Sequence, residues 1–313
     1  MGTLPTIDHH YETFIFDSAR WEGFVFRPDD ILVCTSYKTG TTWTQMVCAL
    51  LVHQAPEPPK PLSVMSPWLD MRTGKKEDIF TELESQTHRR IIKTHTPLDG
   101  LPYRDDVHYV FCGRDPRDVF MSMEHHLGNM DFERLAEVLA ANGEKLMDPP
   151  PPPPEDINER FKNWLTVPNF EWEEDGAPFW SHFQHCATYW KFRHLPNIHF
   201  LHYADMKADL EGEMRRLAKT LGIDVAEDLW PALVEAATFK SMKSNAENTA
   251  PDANNKTWLS TSNFFHKGTS DQWVDALSDA SKSFYSEVTR ERYDAEMLDW
   301  LEKGSKATAR PGN

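Results

Sequence analysis

The chain has 313 residues, enough for one large domain or two small ones, and its 40% hydrophobic and 12% aromatic content can build a full core. Its net charge of −16, from 33 basic and 49 acidic residues, argues against nucleic acid or an anionic membrane as partner, because both select basic surfaces. No stretch approaches the roughly 18 apolar residues of a membrane helix, and the N-terminus lacks the charged start and apolar core of a signal peptide. The four cysteines, Cys34, Cys48, Cys112 and Cys186, have no C-x-x-C spacing and read as buried, reduced thiols of a cytoplasmic protein.

Residues 1–30 are rich in aromatics (Tyr11, Phe14, Phe16, Trp21, Phe24, Phe26) and read as a packing arm across a sheet, with the wall of an apolar pocket as the alternative. Ile31 to Cys34 are continuously apolar, as a strand covered on both faces should be. Small and hydroxylated residues then crowd one turn: Ser36, Thr39, Gly40, Thr41 and Thr42. Trp43, Met46, Val47, Leu50 and Leu51 follow at the spacing of one helix face. Such a strand–loop–helix aims backbone N–H groups and the positive end of a helix at one point. Lys38 adds a cation and Gly40 permits a close approach, so the ligand expected is a phosphate or sulfate. The alternative makes Lys38 a surface lysine beside a helix cap. The spacing departs from the G-x-x-x-x-G-K-[ST] loop, which disfavours a kinase or NTPase.

Residues 55–67 are Pro-rich and read as a loop. Arg90 to Pro97 reads as a second short strand closed by Pro97, which puts His95 just past its C-terminal end, where open α/β sheets bind ligands. Lys93 lies close by; a surface or internally satisfied His95 is the other reading. His108 to Cys112 is a third strand, followed by a helix with Asp115 as N-cap and Pro116 at its first position. Arg114 falls on the intervening loop, to bind an anion or to pair with Asp115 or Asp118, and Ser122 lies about two turns into the helix. Residues 128–180, with six prolines at 149–154 and a cluster of Phe and Trp, read as an insertion folding over the active edge and not as a separate domain. Ser181 to Phe192 reads as a helix, Ile198 to His202 as a fourth strand ended by Tyr203, and Glu211 to Leu221 and Asp228 to Ala237 as helices, with Thr238 and Phe239 after them. Residues 243–272 are polar; within them Lys267-Gly268 is a second anion loop or a surface turn. Residues 279–303 read as one closing helix. The fold class expected is α/β, residues 1–313 forming a single domain with a central parallel sheet flanked by helices.

Together these segments resemble the PAPS-dependent sulfotransferases of the cytosolic type, over about residues 20–300. Arg27 to Trp43 is similar to that family's 5′-phosphosulfate loop, Lys93-Thr-His-Thr-Pro97 to its catalytic-histidine segment, and Arg114 with Ser122 to its 3′-phosphate pair. Leu201 to Lys207 is similar to the segment placing Tyr203 by the adenine, and Thr238-Phe239 and His266-Lys-Gly268 to its last nucleotide contacts. The resemblance implies that Lys38, Thr39, Gly40, Thr41 and Thr42 hold the 5′-phosphate and sulfuryl group. It implies that Trp43, Tyr203 and Phe239 hold the adenine, and that Arg114, Ser122, Lys267 and Gly268 hold the 3′-phosphate. His95 would be the general base, and Lys93 would steady the sulfuryl. It implies PAPS as donor, PAP as product, no metal, and a small hydroxyl or amine acceptor, apolar or aromatic. The oligomeric state stays open, a homodimer included. Two residues depart from the family pattern: His266 stands where Arg is usual, and Thr39 where Ser is usual. The rival readings are a nucleoside or small-molecule kinase and a non-catalytic PAP-binding protein.

Overall fold

Strands buried on both faces need helices above and below them, and the alternation of apolar runs with amphipathic segments supplies both. The computed structural model describes residues 3–144, 152–251, 256–260, 262–265 and 268–306. Four parallel strands form the sheet: β1 (Ile31–Cys34), β2 (Ile91–Thr94), β3 (His108–Gly113) and β4 (Ile198–His202), in the order β2-β1-β3-β4. The register runs from Ile31 opposite Ile91 to Cys34 opposite Thr94, and from Tyr109 opposite Ile198 to Gly113 opposite His202. From β1 the chain passes to β2 on one side and later to β3 on the other. The point where strand order reverses therefore lies between β1 and β3, and the loops leaving both strands open onto one crevice.

The helices follow in chain order. α1 (Thr41–His53) leaves β1, and α2 (Leu62–Met65) and α3 (Lys76–Ser85) precede β2. α4 (Pro116–Leu127) leaves β3; α5 (Phe132–Ala141), α6 (Ile157–Thr166) and α7 (His182–Lys191) lead to β4. α8 (Tyr203–Ala208), α9 (Leu210–Thr220), α10 (Trp230–Ala236), α11 (Phe239–Ser244), α12 (Ala246–Thr249), α13 (Trp273–Ala276), α14 (Asp279–Arg292) and α15 (Ala295–Lys303) complete the fold. One sheet face, with Ile31, Val33, Val110 and Leu201, packs on Met46, Leu50, Leu217 and Leu233 of α1, α9 and α10. The other, with Leu32, Ile92, Tyr109 and Phe111, packs on Trp21, Tyr189, Trp190 and Trp300. Gly113 admits Trp300: a Cβ there would lie 2.3 Å from its ring. At the opposite strand ends, Arg90 and Asp30, each 1% exposed, form a two-pronged ion pair with contacts of 2.8 and 2.5 Å.

The structure amends several expectations. The closing helix is two helices, because Tyr293 is extended (φ −122°) and the Asp294 side chain caps α15 by accepting from Met297 N at 2.8 Å. An Asp in a helical pattern competes for backbone donors, and here it starts a new helix. The 55–67 loop contains one helical turn, α2. The described part of the 128–180 region holds two helices, α5 and α6. Phe161, Trp164 and Leu165 of α6 pack against Phe120 and Tyr285, while α5 turns Leu135 and Leu139 toward Met123, Phe179 and Trp180. Pro152 to Pro154 are irregular and mostly exposed; Pro149 to Pro151 lie outside the described residues. The N-terminal arm divides its work. Trp21, Phe24 and Phe26 pack beneath the sheet, whereas Tyr11, Phe14 and Phe16 join the aromatic cluster of Phe179 and Trp180 beside the crevice.

Candidate active site

The crevice at the C-terminal strand ends begins with the β1–α1 turn. Lys38 (φ +59°) and Gly40 (φ +105°) both take left-handed backbone angles, which fold the chain back into α1. Gly40 is the helix N-cap and supplies no side-chain partner to the first-turn N–H groups, at the end of the helix where Gly40, Thr41, Thr42 and Trp43 line the cavity. Thr39 is fully buried and turned away: its hydroxyl donates to Ser36 O at 3.0 Å and so closes the turn. Only its main chain can serve a ligand.

Lys38 Nζ reaches 3.2 Å from His126 Nδ1 and sits 4.9 Å above the Phe264 ring. Burial, then the charges of Arg114 and Lys93, pull its pKa down to about 7, although part of the side chain stays open to the cavity. Lys93, at the end of β2, lies with its ammonium 4.0 Å over the Trp68 ring. Arg114 donates to Lys38 O at 2.9 Å and Thr269 O at 3.4 Å, stacks 4.3 Å over Tyr203, and leaves Nε without a partner. It pairs with neither acid named above: Asp115 takes Arg117 at 2.7 Å, and Asp118 accepts from Asp271 N at 3.1 Å. Ser122 lines the cavity below Arg114. Among the described residues no Asp or Glu lines it, inside a protein of net charge −16. A cationic hollow in an acidic protein is a local anion trap.

His95 stands just past β2, 6% exposed. Its Nδ1–H donates to Thr35 O at 2.5 Å, which leaves the Nε2 lone pair available. Burial first, then the neighbouring Lys93 charge, hold its pKa well below the usual imidazole range, so the ring is neutral at pH 7. Trp68 meets it edge-on at 4.7 Å, and Trp180 lies tilted against it at 5.7 Å. Beyond these rings the wall is apolar: Ile15, Met71, Met123, Met130, Leu135 and Phe179.

At the other end, Trp43 and Tyr203 meet edge to face at 5.3 Å, and Trp43 Nε1 donates to Ala237 O at 2.8 Å. Phe239 completes this slot, with Gly268 (φ +62°) packed so closely that a Cβ would lie 3.0 Å from its ring. Thr238 stands aside as the N-cap of α11, accepting from Ser241 N. His266 and Lys267 lie outside the described residues.

A family model described as a Sulfotransferase domain matches residues 28–297. The chain belongs to the sulfotransferase family. A glycolipid sulfotransferase of Mycobacterium bovis is 36% identical over 309 residues, covering 95% of this chain and 94% of that protein. Human sulfotransferase 1C2 is 24% identical, covering 89% of this chain and 88% of its own. Two solved structures share the fold. Mouse sulfotransferase SULT7A1, complexed with PAP, has a TM-score of 0.65 at 20% identity and covers 90% of each chain. Retinol dehydratase with androsterone and PAP has a TM-score of 0.62 at 22% identity, covering 88% of this chain and 83% of that one.

One cavity thus gathers Lys38, Gly40, Thr41, Thr42, Trp43, Lys93, His95, Arg114, Ser122, Tyr203, Phe239 and Gly268. Sequence reading missed His126, Trp68 and Trp180. Trp68 lies just past the Pro-rich 55–67 segment, Trp180 ends the segment read as an insertion, and His126 looked like one of 14 histidines. Its position on α4, four residues after Ser122, is the one signal that could have marked it. Among the described residues no helix is long and apolar enough to cross a membrane, and no group of three acidic, Cys or His side chains is arranged around a metal position.

Proposed function

We propose that this sulfotransferase moves a sulfuryl group from PAPS to a hydroxyl of an amphiphilic acceptor, with His95 as general base. The observation that carries this reading is the neutral His95, its Nδ1 tied to Thr35 O and its Nε2 lone pair available, in the same cavity as Lys38 and Lys93. Bound PAPS supplies the sulfuryl group, whose S–O bond to the 5′-phosphate breaks as the acceptor oxygen bonds to sulfur. His95 Nε2 takes the acceptor proton as that oxygen attacks, a role worth roughly 10²–10⁴ in rate. Lys38, Lys93 and the uncapped N-terminus of α1 face the charge on the sulfuryl oxygens and on the leaving phosphate. Arg114, with one unmet N–H, and Ser122 hold the 3′-phosphate. Trp43, Tyr203 and Phe239 hold the adenine.

Aromatic and thioether side chains around His95 suit an acceptor with an apolar body, and a relative named for glycolipids at 36% identity suits one whose hydroxyl is borne by a sugar. We read residues 1–313 as one domain, with the 128–180 region contributing Met130, Leu135, Phe179 and Trp180 as a wall over the acceptor. A cytoplasmic setting fits four buried, unpaired cysteines. The test is transfer from labelled PAPS to alkyl glucosides, phenols, sterols, alkanols and free sugars. Alkyl glucosides are expected to be sulfated and free glucose is not; equal rates for both refute the apolar-body requirement. His95→Ala is expected to lower turnover by roughly 10²–10⁴ and still bind PAP; undiminished turnover refutes His95 as base. Stabilisation by ATP–Mg²⁺ exceeding that by PAP would instead favour a kinase.

A further inference from the structure

The sheet does not hold His95. Its ladder to β1 ends at Cys34 opposite Thr94, and residues 95–97 run on as irregular chain. A carboxylate outside the cavity grips this segment, alongside Tyr189, whose hydroxyl donates to Thr96 O at 3.2 Å. Asp70 is fully buried, and its Oδ2 accepts from Thr94 Oγ1 at 2.5 Å, from Thr96 Oγ1 at 2.5 Å and from Trp21 Nε1 at 3.1 Å. Thr94 Oγ1 in turn accepts from Thr96 N at 3.0 Å. In extended chain, residues i and i+2 share a face, so one oxygen grips both threonines while the residue between them is thrown to the opposite side. That residue is His95.

The same stretch also supports the ring beneath the base. Residues 67–69 bond to β2 beside Lys93: Lys93 N donates to Pro67 O at 2.9 Å and Leu69 N to Lys93 O at 3.2 Å. Trp68, next but one to Asp70, carries the edge of His95 and the ammonium of Lys93. Its Nε1 and Asp70 Oδ1 are each buried without a partner. Burial raises the Asp70 pKa, and the donors around the carboxylate, Thr94 and Thr96 first, pull it back down. Asp70 makes no ion pair among the described residues. A buried carboxylate with no cationic partner is costly, and neutral hydroxyl and indole donors repay it only in part. Packing by itself would favour an apolar residue here; a need for fixed geometry accounts for the acid.

We infer that Asp70 is the positioning residue of the catalytic histidine: through Thr94 and Thr96 it sets where His95 Nε2 points, without touching either substrate. This rests on His95 being the base, and the experiment separates the two. With PAPS and the alkyl glucoside sulfated fastest, Thr96→Val and Thr94→Val remove one hydroxyl each at nearly constant volume. Each is expected to lower kcat by about 10- to 100-fold, the scale of a misplacement near 1 Å. The Kd of PAP by calorimetry and the KM for the acceptor should stay within about twofold. Thr96→Ser, which keeps the hydroxyl, should recover most of the loss. In a His95→Ala background Thr96→Val should cost nothing further, because groups acting as one unit are non-additive. Full kcat in both valine variants, or an undiminished loss on top of His95→Ala, would overturn the positioning role. Undiminished turnover in His95→Ala alone would instead overturn the base assignment. Asp70→Asn is read in the same way, so the outcome does not hang on one variant folding.

Discussion

Lys38 ties donor binding to pH. In the empty site its pKa lies at about 7 instead of 10.5, because burial and then Arg114 and Lys93 disfavour its charge. A polyanion beside the ammonium restores that charge, so binding draws a proton from solution wherever Lys38 starts neutral. At pH 8 a group of pKa 7 is about nine-tenths neutral, and at pH 6 about one-tenth, so binding should take up roughly 0.9 and 0.1 proton respectively. Affinity should therefore fall about tenfold from pH 6 to pH 8 through this group alone, weakening as pH rises. The phosphates of PAP titrate near pH 6 and act in the opposite sense, so the comparison must be with Lys38→Met, which retains the ligand's own titration. Calorimetry of PAP binding in two buffers of different ionisation enthalpy measures the uptake directly. The expected result at pH 8 is an uptake in the wild type that exceeds that of Lys38→Met by nearly one proton. Equal uptake in the two proteins would show that Lys38 is already charged in the empty site or does not meet the ligand, and would refute the reasoning.

Other outcomes follow from single contacts. Arg114→Ala should weaken PAP by about 2 kcal/mol, the loss of a charge-assisted hydrogen bond, while adenosine 5′-phosphate loses little; equal losses in calorimetry would show that Arg114 does not read the 3′-phosphate. Arg90→Met strands Asp30 in the interior and should cost about 3–5 kcal/mol in denaturant unfolding, with the double change Arg90→Met, Asp30→Leu recovering much of it; a loss below about 1 kcal/mol would contradict the buried pair. Gly113→Ala drives a methyl into Trp300 and should lower Tm by forcing α15 off the sheet; an unchanged Tm would mean that the Trp300 contact relaxes freely. Phe239→Ala should reduce PAP affinity by roughly 1–2 kcal/mol and leave the acceptor KM unchanged, which places the adenine slot apart from the acceptor wall; a shift in acceptor KM alone would reverse that assignment.

The chain's local chemistry alone determined the segments that carry the site. An unbroken apolar run must be a buried strand. Gly40 permits the left-handed turn, and Asp115 with Pro116 starts α4 where the loop from β3 ends. Each of these needs only neighbours a few residues away, so each was readable in order along the chain. What depends on distant partners was not. That Lys38 meets His126 and Phe264, that Trp68 and Trp180 frame His95, and that Asp70 grips both flanking threonines are contacts across 24 to 226 positions. Whether the last 25 residues of the helical pattern form one helix or two was settled by Tyr293 reaching Asp175 at 2.6 Å and Asp294 capping the new start. Backbone conformation follows from nearest neighbours, whereas the pairing of side chains follows from which elements the core brings together. Burial first, and then the neighbouring cations, decide that a lysine sheds its proton near neutrality and an imidazole stays uncharged.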